Sequence, residues 1–175
     1  MASYWTRKDD ASKELDTIKP WDEILGHGAL EFPRKHYDVV CAVVQYGGMF
    51  LAVQKGSAKY DYISYKWEFP GGKVEQGEEP EAALKREMRE ELDMEVVVTA
   101  QLASVSYSYP DFDISLQAFL CETDSDHFVL KEHASGKWVS RNVLRDLPWC
   151  DADAEILNAW EHSDSTWLEH TTRIG

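Results

Sequence analysis

The sequence predicts a mixed α+β domain built around a β-sheet. The apolar run at 37–45 is followed by a glycine-containing turn and a second apolar run, a pattern typical of a β-hairpin. Residues 80–92 are amphipathic with a helical period, and two further β-rich segments occupy 96–109 and 113–122. Because the chain has the length of one ordinary domain, we expect these segments to share one core.

Residues 1–35 are interpreted as an N-terminal extension. They are polar and are interrupted by glycine and proline, with short apolar pieces around Trp21 that allow one short helix. We place the domain itself at 36–162 and a tail at 163–175. Tryptophans such as Trp167 are expected to pack on the domain or to form a dimer contact, so we expect a monomer or a homodimer.

The hairpin provides the first two strands. The first strand is predicted over YDVVCAVVQ, which ends at Gln45. Gly47 and Gly48 are predicted to form the turn, and MFLAVQK at 49–55 is predicted to form the second strand. A helix is predicted to begin at Pro80, because proline suits a first helical turn and apolar residues then recur every four positions. Those apolar residues are Leu84, Met88 and Leu92.

The second half of the chain continues with strands and ends with a helix. The segments at 96–109 and 113–122 are separated by Pro110-Asp111-Phe112, which indicates a turn. After an acidic loop, GKWVS at 136–140 predicts a short strand, and AEILNAWEH at 154–162 predicts a C-terminal helix.

Composition and charge exclude several classes of protein. A chain with 43% hydrophobic and 12% aromatic residues is too apolar to be disordered. The formal net charge of −14 repels a phosphodiester backbone, so long nucleic acid is not an expected partner. A small polyanionic substrate requires a metal ion to offset the charge locally.

Cysteine spacing and hydropathy indicate where the protein resides. Cys41, Cys121 and Cys150 are scattered and form no CxxC pair, so neither a disulfide framework nor a structural zinc site is expected. The N-terminal segment has no apolar core of a signal peptide, and no run of 18 apolar residues occurs. We expect a protein of the reducing cytoplasm without a membrane partner.

Acidic side chains crowd one side of the predicted helix. Glu87, Glu90 and Glu91 fall within an arc of about 100°. Like charges at these spacings repel, so something must offset them. One interpretation is a solvated acidic face with Arg86 and Arg89 as partners. The other is a site for a hard divalent cation such as Mg²⁺, which prefers carboxylate oxygens.

The spacing of these residues is similar to a known signature. Gly72, Glu78, Arg86-Glu87, Glu90-Glu91 and Met94 resemble the Nudix box, GX5EX7REUXEEXGU, in which U is bulky and apolar. Asp93 stands where the family has its last glycine, and Asp tolerates the left-handed conformation that such a glycine adopts. The resemblance implies a Nudix-type α/β/α sandwich with a mixed β-sheet and the Nudix-box helix. It also implies a Mg²⁺-dependent hydrolase.

The resemblance extends from Tyr37 to Trp160 and is to the MutT and CTP pyrophosphohydrolase branch. It implies that a nucleoside triphosphate, oxidised (8-oxo-dGTP) or of the cytosine type, is hydrolysed to nucleoside monophosphate and pyrophosphate. The alternatives within the enzyme class are an ADP-ribose or a dinucleoside polyphosphate hydrolase, whose markers lie near Pro110 and Tyr109. A catalytically silent nucleotide-binding module is a further alternative, although all acidic positions of the box are intact.

The resemblance also implies the metal ligands and the base. The expected ligands of Mg²⁺, or of Mn²⁺, are the carbonyl of Gly71 and the carboxylates of Glu87, Glu90, Glu91 and Glu132. Arg86 matches an arginine that orients a neighbouring carboxylate. Glu87 is the first candidate for the general base and Glu132 the second. Without the resemblance, Glu132 is an ordinary residue of a surface loop.

The nucleotide-binding residues implied by the resemblance are Lys55, Lys73, Phe69 and Asp153. The two lysines match phosphate-contacting positions, and their alternative is to be exposed surface residues. Asp153 is expected to read the base from the rim of the substrate pocket. As an ionised acceptor it would favour cytosine or guanine, and its structural alternative is a helix cap.

Overall fold

The computed structural model describes residues 33–163 and contains a seven-stranded mixed sheet, which confirms the predicted α+β class. The strands are β1 (Lys35–Tyr46), β2 (Met49–Gln54), β3 (Trp67–Glu68), β4 (Gly71–Lys73), β5 (Val97–Ser108), β6 (Phe112–Glu122) and β7 (Ser135–Ser140). The short helix expected near Trp21 and the packing expected of Trp167 lie outside the described residues.

The helices are α1 (Pro80–Leu92), α2 (Arg141–Leu144) and α3 (Asp151–Ser163), and a 3-10 turn covers Asp61–Ile63. The bounds of α1 are those predicted, whereas α3 begins three residues earlier than expected. The 3-10 turn, α2, β3 and β4 were not predicted, because two to four residues are too few to show a period. In the described part of the chain, no helix is long and apolar enough to cross a membrane.

The sheet is organised around β1. Its main path runs β3-β2-β1-β6-β5, with β4 paired to β1 and β7 paired to β2. β1 and β6 are parallel, and the other strand pairs named here are antiparallel. Since strands pair on both edges of β1 and both of its faces are buried, its sequence is almost continuously apolar.

Two apolar clusters cover opposite faces of the sheet. Val40, Ala42 and Val44 of β1 pack with α1, whereas Cys41 and Val43 pack with α3. Alternate residues of a strand point to opposite faces, so the two helices lie on opposite sides. This arrangement is the α/β/α sandwich that the resemblance implied.

Left-handed backbone occurs where the sequence indicated it. Gly47 and Gly48 have φ angles of 57° and 78° in the β1–β2 turn. Asp93, at the end of α1, has φ 53° and ψ 38°, which confirms that it replaces the family's glycine in that conformation. The N–H of Met94 then donates to the carbonyl of Met88 at 3.2 Å, which closes the helix.

β4 is wedged between β1 and α1. A Cβ atom on Gly71 would lie 2.0 Å from the carbonyl oxygen of Val40, and one on Gly72 would lie 2.3 Å from Cδ of Glu87. Neither glycine has a left-handed φ, so the requirement for glycine here is space rather than conformation. The close contact brings the Gly72 backbone against a carboxylate of α1.

We predict that Gly71→Ala lowers the free energy of unfolding by about 1–3 kcal/mol, because the added methyl group meets β1 backbone that cannot move aside. Urea denaturation measures the change. Gly56→Ala is the matched control, since a Cβ at Gly56 meets nothing within 4 Å. Equal stability of the two variants would contradict the wedged position of β4.

Candidate active site

Arg86 holds the acidic side of α1 against the preceding loop. Its Nε and Nη2 atoms donate to the two carboxylate oxygens of Glu78, each at 2.9 Å. Nη1 donates to Glu87 at 2.8 Å and to Glu90 at 3.2 Å, and Nη2 also reaches the carbonyl of Lys73 at 3.1 Å. These hydrogen bonds, first to Glu78 and then to Glu87, raise the pKa of Arg86. One guanidinium therefore connects α1 to β4 and to the loop between them.

The acidic face of α1 is only partly solvated. Side-chain exposure is 13% for Glu87 and 16% for Glu91, compared with 59% for Glu90. Arg89, expected as a second partner of this face, pairs instead with Glu95. An acidic helix face in water does not cover its carboxylates in this way, so the arrangement favours the cation-site interpretation.

Glu91 is short of compensating charge. Its pKa is raised to about 7, and burial is the largest cause of the shift. His133 opposes the shift, and the nearby carboxylates of Glu87, Glu132 and Glu68 contribute to it. Glu132 is exposed, and the backbone N–H of its neighbour Lys131 donates to the carbonyl of Glu91 at 3.1 Å. The loop before β7 thus brings Glu132 to the end of α1.

The donor set suits a hard divalent cation. Carboxylates of α1 are gathered beside the backbone of β4, and every candidate ligand atom is an oxygen. A cation there would relieve the repulsion that raises the pKa of Glu91. The candidate ligands Gly71, Glu87, Glu90, Glu91 and Glu132 belong to β4, α1 and the loop before β7.

A second polar cluster was only partly predicted. Lys55 Nζ lies 2.7 Å from Glu68 Oε2, and ligand atoms of Glu68, Cys150 and Asp153 lie within 4.8 Å of one another. Burial opposes the charge of Lys55, but Glu68 outweighs it and the pKa of Lys55 is raised. Because this ammonium already pairs with Glu68, we interpret the cluster as a salt-bridged pocket rather than as a metal site.

Asp153 is buried, with 7% of the residue exposed, and its expected role in reading the base stays a prediction. Cys150 N–H donates to the Trp67 carbonyl at 2.8 Å and ties the start of α3 to β3. Asp153 Oδ1 then accepts the Phe69 N–H at 2.8 Å. Burial, and next Glu68, raise the pKa of Asp153 to about 8. A raised pKa favours the protonated carboxyl group, which can donate as well as accept.

Of the other expected nucleotide-binding residues, Phe69 and Lys55 lie close to Asp153, whereas Lys73 lies elsewhere. The ring of Phe69 is buried and stacks on Trp149 with centroids 4.5 Å apart. Lys73 Nζ lies 4.1 Å from the ring centroid of Tyr37, a cation–π geometry, whereas Lys55 lies in the Glu68 cluster. Their roles towards a nucleotide stay predictions.

A tyrosine-lined groove was missed. It has a volume of about 710 Å³ and is lined by Arg34, Tyr62, Tyr107, Ser108, Tyr109, Pro110 and Asp151. Tyr62 stacks on Tyr109 at 5.6 Å and donates its hydroxyl to Asp111 at 2.9 Å. The groove adjoins Asp153, because the Tyr109 hydroxyl accepts the N–H of Ala152. The repeated tyrosines before Pro110 were the available signal.

Comparison with known proteins decides the family. A family model described as the NUDIX domain matches residues 34–160, which is most of the chain. The chain belongs to the NUDIX family. It is 33% identical over 126 residues to the CTP pyrophosphohydrolase of Escherichia coli, covering 72% of this chain and 92% of that protein. This confirms the resemblance found in the sequence.

Two further NUDIX relatives are named 8-oxo-dGTP diphosphatase. The Escherichia coli protein is 37% identical over 79 residues, covering 45% of this chain and 61% of that protein. The Proteus vulgaris protein is 48% identical over 54 residues, covering 31% of this chain, and the match spans about half (48%) of its length. Together with the family model and the CTP pyrophosphohydrolase relative, these names place the chain in a family of pyrophosphohydrolases.

Solved NUDIX structures share the fold. The Escherichia coli ORF135 protein has a TM-score of 0.62 and 30% identity, covering 81% of this chain and 96% of its own. The MutT protein of Methanosarcina mazei Go1 has a TM-score of 0.68 and 20% identity, covering 77% and 99%. NUDIX hydrolases act on small nucleotides and generally use a divalent metal, in agreement with the acidic site on α1.

We predict that Glu91→Gln stabilises the metal-free protein at pH 8 but has little effect at pH 4.5. The folded-state pKa is raised from 4.5 to about 7, so this carboxyl's contribution to stability is complete below pH 4.5 and is lost as the pH rises through 7. Melting temperature in EDTA at both pH values measures the effect. Adding Mg²⁺ should raise the melting temperature of the wild type more than that of the variant. A variant less stable than wild type at pH 8 in EDTA would contradict this account.

Proposed function

We propose that this NUDIX enzyme is a Mg²⁺-dependent hydrolase that converts a nucleoside triphosphate, of the cytosine or oxidised guanine (8-oxo-dGTP) type, to nucleoside monophosphate and pyrophosphate. The observation that carries the proposal is that Glu87 and Glu91 are both largely covered on one side of α1, with Glu87 packed against the Gly72 backbone. The activities for which the two Escherichia coli relatives are named support this substrate class.

The residues proposed to hold Mg²⁺ or Mn²⁺ are Gly71, through its carbonyl, and Glu87, Glu90, Glu91 and Glu132. A divalent cation bound there would offset the charge of the phosphates and lower the pKa of the attacking water. Arg86 orients Glu87 through the 2.8 Å hydrogen bond and keeps that carboxylate directed across β4.

A carboxylate must accept the proton of the attacking water. Glu87 remains the first candidate and Glu132 the second, and both lie near enough to Glu91 to raise its pKa. Substitution of each carboxylate in turn would distinguish these roles.

The nucleoside is proposed to enter from the tyrosine-lined groove. Stacking on tyrosine rings favours planar bases, and the groove adjoins the start of α3, where Asp153 lies. Lys55 and Lys73 are the cations proposed for the phosphates. Burial raises the pKa of Asp153 and favours its protonated form, which can pair with an acceptor of the base, whereas the ionised form pairs with an exocyclic amine.

We expect the wild-type enzyme with Mg²⁺ to release pyrophosphate from cytosine or 8-oxoguanine triphosphates faster than from uracil triphosphates. The panel includes ADP-ribose and a dinucleoside polyphosphate, since both were alternatives. Glu87→Gln should lower kcat by roughly 10²–10⁴-fold, the range that a general base contributes.

Glu81→Gln is the control for that substitution. Glu81 lies on the same helix but is exposed in its first turn, away from the acidic cluster. Unchanged turnover of Glu87→Gln, or faster hydrolysis of ADP-ribose than of every triphosphate, would reject the proposal.

We predict that Asp153→Asn keeps the fold and changes the ranking of nucleotides. Asparagine retains an acceptor for the Phe69 N–H, whereas alanine would leave that buried donor unpaired at a cost of about 1–3 kcal/mol. The ranking and the melting temperature are measured on both variants. An unchanged ranking in both, with a lower melting temperature only for Asp153→Ala, would restrict Asp153 to a structural role.

A further inference from the structure

His133 lies between the two polar clusters. Its Nε2 atom is 3.2 Å from Glu68 Oε1 and 3.8 Å from Glu91 Oε2. A carboxylate oxygen accepts, so Nε2 carries the proton and donates to Glu68, with Glu91 just beyond hydrogen-bond distance. Three separate elements therefore meet at one imidazole: β3 through Glu68, α1 through Glu91, and the loop before β7.

The backbone holds this loop on both sides of the histidine. Lys131 N–H donates to the carbonyl of Glu91 at 3.1 Å, and Ala134 N–H donates to the carbonyl of Gln54 at 2.9 Å. Upstream, Val129 N–H donates to the carbonyl of Leu92 at 2.8 Å. The side chain of His133 is 7% exposed. Its ring is thus fixed before any ligand binds.

Stability alone does not explain a histidine at this position. Within residues 33–163, the buried Nδ1 atom of His133 has no hydrogen-bond partner. A buried polar atom without a partner costs free energy that an apolar side chain of similar size would not. The imidazole instead supplies a donor between the carboxylates of Glu68 and Glu91.

We propose that His133 is a positioning residue for the cation site: its ring is held through Glu68 and lies 3.8 Å from Glu91 Oε2, and it thereby limits where the Glu91 carboxylate can lie when a divalent cation binds. This inference rests on the proposed function, in which Glu91 is a ligand. Residues that orient metal-binding side chains typically change metal affinity by about 10–100-fold when they are replaced.

The test uses His133→Leu, which removes the donor but keeps an apolar side chain, and His133→Gln, which keeps an N–H group. His127→Leu is the matched control, because His127 is an exposed histidine of the same loop. Mn²⁺ is titrated into each full-length protein without nucleotide and followed by electron paramagnetic resonance. Melting temperatures in EDTA and kcat over a range of Mg²⁺ concentrations complete the set.

We expect His133→Leu to bind Mn²⁺ about 10–100-fold more weakly and to lose kcat in a way that high Mg²⁺ partly restores. His133→Gln should recover most of the affinity, and His127→Leu should match the wild type. The melting temperature of His133→Leu in EDTA should not fall, whereas the loss of a purely structural histidine would lower it. The inference would be overturned if His133→Leu bound Mn²⁺ as tightly as the wild type. It would also be overturned if His133→Gln failed to recover Mn²⁺ affinity and both variants had lower melting temperatures in EDTA.

The Mn²⁺ titration is independent of the substrate. Failure of the wild type to hydrolyse any triphosphate would reject the proposed function while the affinities still decide the role of His133. Normal hydrolysis with unchanged Mn²⁺ affinity in His133→Leu would reject the inference and leave the proposed function standing.

Discussion

The hydrogen bonds of Arg86 constrain the rest of the site. Carboxylates three and four residues apart on one helix face repel one another, and they stay together here because one guanidinium spans Glu78, Glu87 and Glu90. The same group binds the carbonyl of Lys73 and so fixes the distance between α1 and β4. At that distance no side chain fits on Gly72. The position therefore requires glycine because Arg86 holds α1 close to β4, and not because of the backbone conformation.

Much of the fold and half of the site were predictable from local pattern. The period of four along α1, the turn at Gly47-Gly48 and the apolar run of β1 are short-range signals, and each predicted its element. β3 and β4 are too short to carry such a signal. The roles of Glu68 and His133 were missed because these residues meet 65 positions apart, through a pairing of strands that no local window contains.

The structure meets the excess of acid in two different ways. Around Glu78 and Glu87 it provides a cation, Arg86, whose hydrogen bonds lower the pKa of Glu78. The carboxyl groups of Glu91 and Asp153 have less compensating positive charge. Burial is the main cause that raises their pKa values, to about 7 for Glu91 and about 8 for Asp153. A ligand that brings positive charge to Glu91 therefore displaces a proton near neutral pH, which couples its affinity to pH.

The parallel pairing of β1 with β6 has a consequence for the order in which the site assembles. The side chains of His36 in β1 and Ser115 in β6 are hydrogen-bonded and lie 79 positions apart in the sequence. Pairing β1 with β6 therefore closes a long loop, which costs conformational entropy. Arg86 and Glu78 are only eight positions apart, so their hydrogen bonds can form before the strands of the sheet have paired. High contact order slows folding, and we expect the acidic half of the site to form early and the pocket around Glu68 and Asp153 to form last.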